Sequence, residues 1–136
     1  MQIQKCTIAD VPKLAILNKQ LIDDEKSDNP MNINELEARM KGILETDYSA
    51  YYFVEDNQII GYALIRNTGS PVYLRQFMID RNYRKHHYGT HAFQMLLQYL
   101  EIKEIDIEVL PWNQNGLAFW KHCGFKETCI AMRYKE

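Results

Sequence analysis

The sequence lacks the features that mark membrane, secreted or nucleic-acid-binding chains. Its uninterrupted apolar stretches run only a few residues, far short of the roughly 20 that a bilayer-spanning helix needs. The opening Met-Gln-Ile-Gln-Lys-Cys has no apolar segment of a secretory signal. Cysteine is scarce. Cys6, Cys123 and Cys129 form an odd set without Cys-x-x-Cys spacing, as expected of reduced thiols in a cytoplasm rather than a disulfide framework. Neither sign of charge dominates: 16 Lys and Arg against 18 Asp and Glu leave a net charge of -2, with no broad attraction to nucleic acid or an anionic membrane. An anion site therefore has to be local. No repeat, low-complexity tract or Gly/Ser/Pro-rich linker divides the chain, which predicts a single domain over residues 1–136.

What is present suits such a domain. The 136 residues are 46% hydrophobic and 25% charged. A chain of this size buries roughly 68% of its unfolded surface, enough for a core without disulfides or a structural metal. Ile3 and Cys6 flank a short strand, and Thr7 with Asp10 forms a capping box for a helix through Leu14, Leu17 and Leu21 that stops in Asp23-Asp24-Glu25. Asn32 or Asn34 caps a second helix, with Leu36, Met40, Ile43 and Leu44 at helical spacing. Tyr51 to Val54, Ile59 to Ile65 and Val72 to Ile79 then read as a meander, with turns at Asp56-Asn57 and Asn67 to Pro71. A helix from about Tyr88 carries Ala92, Phe93, Leu96, Leu97 and Leu100 on one stripe. Ile105, Ile107 and Val109 alternate as a strand, Asn113 to Cys123 reads as a helix, and Phe125 to Tyr134 as a closing strand. The order β-α-α-β-β-β-α-β-α-β is that of an α/β chain with an antiparallel first half and a β-α-β crossover in the second.

The segment Arg81-Asn82-Tyr83-Arg84-Lys85-His86-His87-Tyr88-Gly89-Thr90 lies between a strand and a helix and contains no acid. A helix N-terminus offers amide N–H groups without partners and a partial positive charge, so a basic turn feeding it can cradle phosphate. Gly89 would let a phosphate approach the backbone closely. A solvated basic turn fits this segment equally well by itself. Further along, Asn113, Gly116, Trp120, Gly124 and Phe125 follow a strand at fixed offsets. Taken together, the two segments resemble the GNAT family of N-acetyltransferases, whose loop Gln/Arg-x-x-Gly-x-Gly/Ala is matched by Arg84 to Gly89. The family's later block, Asn-x-x-Ala-x-x-x-Tyr-x-x-x-Gly-Phe, is matched by Asn113 to Phe125. The resemblance spans essentially the whole chain and is sharpest from Tyr73 to Phe125.

The resemblance implies a GNAT-like fold, a mixed and mostly antiparallel sheet flanked by helices, with two central strands splayed to admit a thioester. It implies acetyl-CoA as donor, its pyrophosphate held by the backbone of Lys85, His86, His87, Tyr88, Gly89 and Thr90 and by the Arg84 side chain. Met78 and Ile79 would offer backbone groups to the pantetheine arm, Asn113 would hydrogen-bond it or the adjoining backbone, and Phe119 and Trp120 would wall it. The family pairs into homodimers through its C-terminal part, which the resemblance extends to this chain. Two positions depart from the pattern. His87 replaces the first loop glycine, and Trp120 replaces a tyrosine that in many members protonates the leaving thiolate. An indole N–H is no acid near neutral pH, whereas a thiol of pKa about 8.5 can leave unaided.

An alkyl amine of pKa about 10.4 is mostly protonated at pH 7, so attack requires a base. Glu108, on the strand before Asn113, matches the place of a base in some family members; period-2 alternation puts it opposite Ile107 and Val109, facing a cleft or solvent. Asp80, Glu101 and Tyr73 are weaker candidates. Cys123 reads as a small buried hydrophobe more than a nucleophile. His86, His87, His91 and His122 lack a converging carboxylate, and no metal site is expected. Tyr48, Tyr51 and Tyr52 suit core or acceptor pocket. Asp24 and Glu25 follow the first helix, where an acidic rim would favour a cationic small molecule or a peptide amine. The expectation is direct acetyl transfer to a primary amine in a ternary complex. The alternatives are an acyl-CoA-binding sensor without turnover and a peptide-recognition scaffold.

Overall fold

The computed structural model describes residues 1–136 apart from the side chain of Lys85. The Thr7 side chain accepts the Ala9 N–H while the Asp10 carboxylate accepts the Thr7 N–H at 2.8 Å, so the capping box forms as its spacing predicts. It opens a 3-10 turn, Ile8–Asp10, which runs into α1, Val11–Asp24. Of the two asparagines that could cap the second helix, Asn32 does so, accepting the Glu35 N–H at 2.9 Å at the start of α2, Ile33–Leu44.

Strand β1, Gln2–Lys5, pairs with β2, Tyr48–Glu55; β3, Gln58–Arg66, and β4, Val72–Ile79, complete an antiparallel meander. Helix α3, Tyr88–Leu100, crosses over to β5, Ile105–Asp106, which lies parallel to β4. The result is a five-stranded mixed sheet of order β1-β2-β3-β4-β5, followed by α4, Gln114–His122.

The sheet separates two cores. On one face Tyr52, Tyr62, Leu64 and Met78 pack with Leu14 and Leu17 of α1 and Met40 of α2. On the other, Phe53, Ala63, Ile65, Leu74 and Ile79 pack with Ala92, Phe93 and Leu96 of α3, and Trp120 of α4 adds to them. Gly61 is needed where β3 meets β4, because a Cβ there would lie 2.1 Å from the Met78 carbonyl oxygen. No helix is long and apolar enough to cross a membrane.

Two expectations about the last third are corrected. The strand expected across Ile105 to Val109 is paired only at Ile105–Asp106. The closing strand expected from Phe125 to Tyr134 does not form: residues 126–136 are exposed and in no strand. Ile130, Met132 and Tyr134 alternate as a strand should, yet they are 82%, 90% and 87% exposed. Alternation supplies an apolar face but not a ladder, and a two-residue β5 offers almost no edge for another strand to pair with.

Candidate active site

The sheet opens where β4 and β5 part. Their parallel pairing is confined to Val72 with Ile105 and Tyr73 with Asp106, while β4 runs on to Ile79. From Leu74 onward the β4 edge turned toward β5 has no strand beside it, so its peptide groups can hydrogen-bond an extended ligand as an added strand would. The parting coincides with a β-bulge. Register passes from Leu64–Gln76 to Ile65–Leu74, and Arg75 is the extra residue opposite no partner. Such a bulge bends its strand and re-aims the side chain it carries. Met78 and Ile79, both buried at the end of β4, face opposite cores.

The basic segment follows at once. Asp80 accepts the Asn82 N–H at 3.0 Å and starts a 3-10 turn over Arg81–His86. His87 then adopts a left-handed conformation, φ 58° and ψ 20°, at the position where the resembled family has glycine. Histidine is among the residues that tolerate this region, so the turn closes without glycine. His87 gives α3 no side-chain cap, and the first turn of α3 contains no acid. The amides of that turn are therefore left for solvent or an anion, beside the exposed His86 and His87. Tyr88 and Thr90 are half-buried, Tyr88 against Tyr83 and His86. Gly89 acts through packing: a Cβ there would sit 3.1 Å from Phe119, so its absence lets the start of α3 approach α4. The Lys85 side chain lies outside the described residues.

The C-terminal end of α1 ties the two sides of the opening together. Asp24 accepts from Arg81 at 3.1 Å and from Arg84, forming ion pairs with both guanidinium groups. Arg84 Nε also donates to the Ile79 carbonyl at 2.7 Å, and Gln20 accepts the Arg81 N–H at 2.9 Å. Trp112, half exposed, donates its indole N–H to the Glu25 carbonyl at 3.0 Å. A shallow depression of about 150 Å³ lies between these elements, lined by Asp24, Glu25, Trp112, Asn113 and Asn115 among others. Burial, reinforced by the neighbouring Asp24 charge, raises the pKa of Glu25 above the usual carboxylate value.

Asn113 caps α4, its side-chain oxygen accepting the Gly116 N–H at 3.0 Å. A Cβ on Gly116 would meet the Asn113 amide at 2.3 Å, so the spacing of these two residues suits the cap. Phe119 stacks on Phe77 with centroids 6.0 Å apart, and Trp120 makes edge contacts with Phe77, Phe93 and Phe125 at 5.1 to 5.3 Å. Trp120 is thus held among aromatic rings on the α3 side of β4. Glu108 is exposed between half-buried Ile107 and Val109, as the alternation predicts. Burial raises the Tyr73 pKa, and the Glu108 charge adds to it, which puts Glu108 near the point where β4 leaves β5.

Sequence reasoning passed over Gln20, Trp112 and a polar row inside the α1/α2 face. In that row Arg39 donates to the buried Asn18 at 3.0 Å, and the buried Tyr62 hydroxyl donates to Gln76 at 2.7 Å. The available signal was a polar residue, Asn18, within the apolar stripe of α1. Among the described residues, no group of three or more His, Cys, Asp or Glu could hold a metal ion.

The fold is shared with known structures. A possible acetyltransferase from Clostridium difficile 630 superposes with a TM-score of 0.78 at 16% identity, over 99% of this chain and 96% of that one. An aminoglycoside acetyltransferase from an uncultured soil metagenomic sample, solved with sisomicin, gives a TM-score of 0.74 at 14% identity, over 99% and 95%. A predicted acetyltransferase of Clostridium acetobutylicum, solved with acetyl-CoA, gives 0.74 at 18% identity, over 98% and 95%. No curated protein matches the chain in sequence. The profile of the acetyltransferase (GNAT) family matches residues 17–125, so the chain belongs to the GNAT acetyltransferases.

Proposed function

We propose that the chain is a single-domain N-acetyltransferase that moves an acetyl group from acetyl-CoA to a primary amine, small molecule or peptide, within a ternary complex. The observation that carries this is the parting of β4 from β5 after Tyr73, directly beside the uncapped start of α3. The free edge of β4 through Met78 and Ile79 suits the amide groups of a pantetheine arm. The amides from Lys85 to Thr90, with His86 and His87 exposed beside them, suit its diphosphate. Arg84 would serve by fixing the turn through Asp24 and the Ile79 carbonyl, with the remainder of its charge turned to the ligand. Acetyl-CoA supplies an activated acyl group as a thioester.

The chain's own residues do the rest. Asn113 holds the start of α4, and Phe119 and Trp120 close the α3 side against water. A backbone N–H near Met78 would face the thioester carbonyl oxygen, where negative charge develops. Glu108 takes one proton from the substrate ammonium, directly or through water, and the neutral amine adds to the thioester carbonyl carbon; on collapse the C–S bond breaks, sulfur leaves with the electron pair, and the second nitrogen proton passes to the thiolate or to water. Trp120 provides no acid, and the leaving thiol needs none. Asp24 and Glu25 border the acceptor side. By its family the chain is expected to form homodimers; its cysteine usage and balanced charge are the grounds for expecting it in the cytoplasm, with neither nucleic acid nor membrane as partner.

The test is calorimetric binding of acetyl-CoA and of acetylpantetheine, followed by thiol release over a panel of amines. Acetyl-CoA is expected to bind far more tightly than the analogue lacking the diphosphate, and Glu108→Gln to lower kcat by roughly 10²-fold or more. Failure to bind acetyl-CoA would overturn the reading. Binding without turnover on any amine would favour the sensor that the missing tyrosine allows.

A further inference from the structure

The charges around the acceptor side of β4 are not those expected from Asp24 and Glu25. Asp24 is engaged by Arg81 and Arg84. Three other arginines gather on the α1/α2 face near the bulge, and none has a carboxylate partner among the described ion pairs. Arg66 lies over the rings of its register neighbours Tyr48 and Tyr73, 5.6 and 5.7 Å from their centroids. Arg75, the bulge residue, lies over the Tyr48 ring at 5.4 Å. Arg39, half-buried on α2, is fixed by its bond to Asn18. Arg66 and Arg75 thus share the Tyr48 ring, and the Arg75 charge, after burial, also lowers the Arg39 pKa. Of the acids in this region, Asp47 accepts from Thr68 at 2.7 Å, the Glu108 charge is felt at Tyr73 and that of Glu25 at Tyr62, and none forms an ion pair with these arginines among the described residues.

We propose that the acceptor is an amine that also carries an oxyanion, carboxylate or phosphate, which Arg66 and Arg75 bind on the α1/α2 side of the β4 bulge. This rests on the acetyl-transfer reading above. Two guanidinium groups held against one ring without an ion-pair partner are a site for a planar or tetrahedral oxyanion, which accepts several donors at once. The bulge is what delivers Arg75: without the extra residue its side chain would follow the strict alternation of β4. Tyr48 and Tyr73 hold Arg66 in place, and Glu108, whose charge is also felt at Tyr73, forms no ion pair with it among the described residues.

The experiment uses the intact chain with saturating acetyl-CoA and reads thiol release on matched acceptors: glycine against glycinamide, phosphoethanolamine against ethanolamine, and spermidine. At least one oxyanion member is expected to exceed its neutral partner in kcat/KM by roughly 10- to 100-fold. Which pair shows the larger ratio identifies the oxyanion. Arg75→Gln, at an exposed position, is expected to erase the ratio by raising KM for the oxyanion member, with KM for acetyl-CoA unmoved; Arg75→Lys is expected to restore part of it. Neutral acceptors or spermidine matching the oxyanion members would overturn the inference and leave acetyl transfer intact. A parallel calorimetric titration of glycine and phosphoethanolamine in the presence of CoA reads the site without turnover. Binding lost in Arg75→Gln but no transfer to any amine would overturn acetyl transfer and keep the anion site; no binding and no preference would overturn the site.

Discussion

The two faces of one sheet are built from different materials. The α3/α4 face is closed by aromatic rings: Phe77, Phe93, Phe119, Trp120 and Phe125 form a connected set of ring contacts. The α1/α2 face carries a polar row through its core, from Arg39 and Asn18 to Tyr62 and Gln76. An aromatic cluster is stabilised by area and shape and accommodates a change in any one edge contact. A buried polar row is stabilised only while each donor meets its acceptor. The contrast assigns rigidity to the side that begins with the α3 turn and selectivity to the side that borders the acceptor.

Substitutions on each face can break that contrast. Trp120→Ala is expected to have the largest effect on stability, about 3 kcal/mol, because several rings lose a neighbour and the site cannot collapse fully. Thermal or urea unfolding would measure it, and a loss below about 1 kcal/mol would show that the cluster is not a core. Tyr62→Phe comes next. It leaves the half-buried Gln76 oxygen without its donor, costing about 1 kcal/mol. Unlike Trp120→Ala, it is expected to change the order of preference among acceptors in thiol-release assays; an unchanged order would remove the distinction between the faces.

A smaller effect of opposite sign is expected from Glu25→Gln. The folded-state pKa of Glu25 is raised above its ordinary 4.5, so folding favours the protonated carboxyl. The stability this contributes is present below pH 4.5 and lost as pH rises through the folded value. The amide should therefore raise the Tm slightly at pH 7, with the advantage shrinking as pH falls through the folded value and gone below 4.5. An advantage that grows in acid would reverse the assignment. The smallest effect concerns thiols. Burial pushes the Cys6 thiol up to about 12 and raises that of the half-buried Cys123, whereas Cys129 is exposed. A disulfide reagent at neutral pH should modify Cys129 first and Cys6 only on unfolding, with little change in activity from the first event.

Much of the scaffold was legible because its signals are local. The Thr7–Asp10 box, the Asn32 cap and the apolar stripes of α1 to α3 depend on residues three or four positions apart. The meander followed from alternation and from turns such as Asp56-Asn57, whose residues both have positive φ. The last strand was not legible. The alternation of Ile130, Met132 and Tyr134 is a real local signal, but a strand needs a partner, and the partner edge is decided elsewhere.

The site divides in the same way. Sequence by itself determined the basic turn before α3 and the asparagine cap before α4, because each is a short-range arrangement of backbone and neighbouring residues; that Gly89 makes room for Phe119, far along the chain, came from the tertiary structure. Only the tertiary structure decided where the charges act. Asp24 is 57 and 60 residues from the arginines it binds, and Arg39 reaches Asn18 across 21. Coulomb energy depends on distance and on burial, and neither is a property of a residue until the chain has brought its partners together.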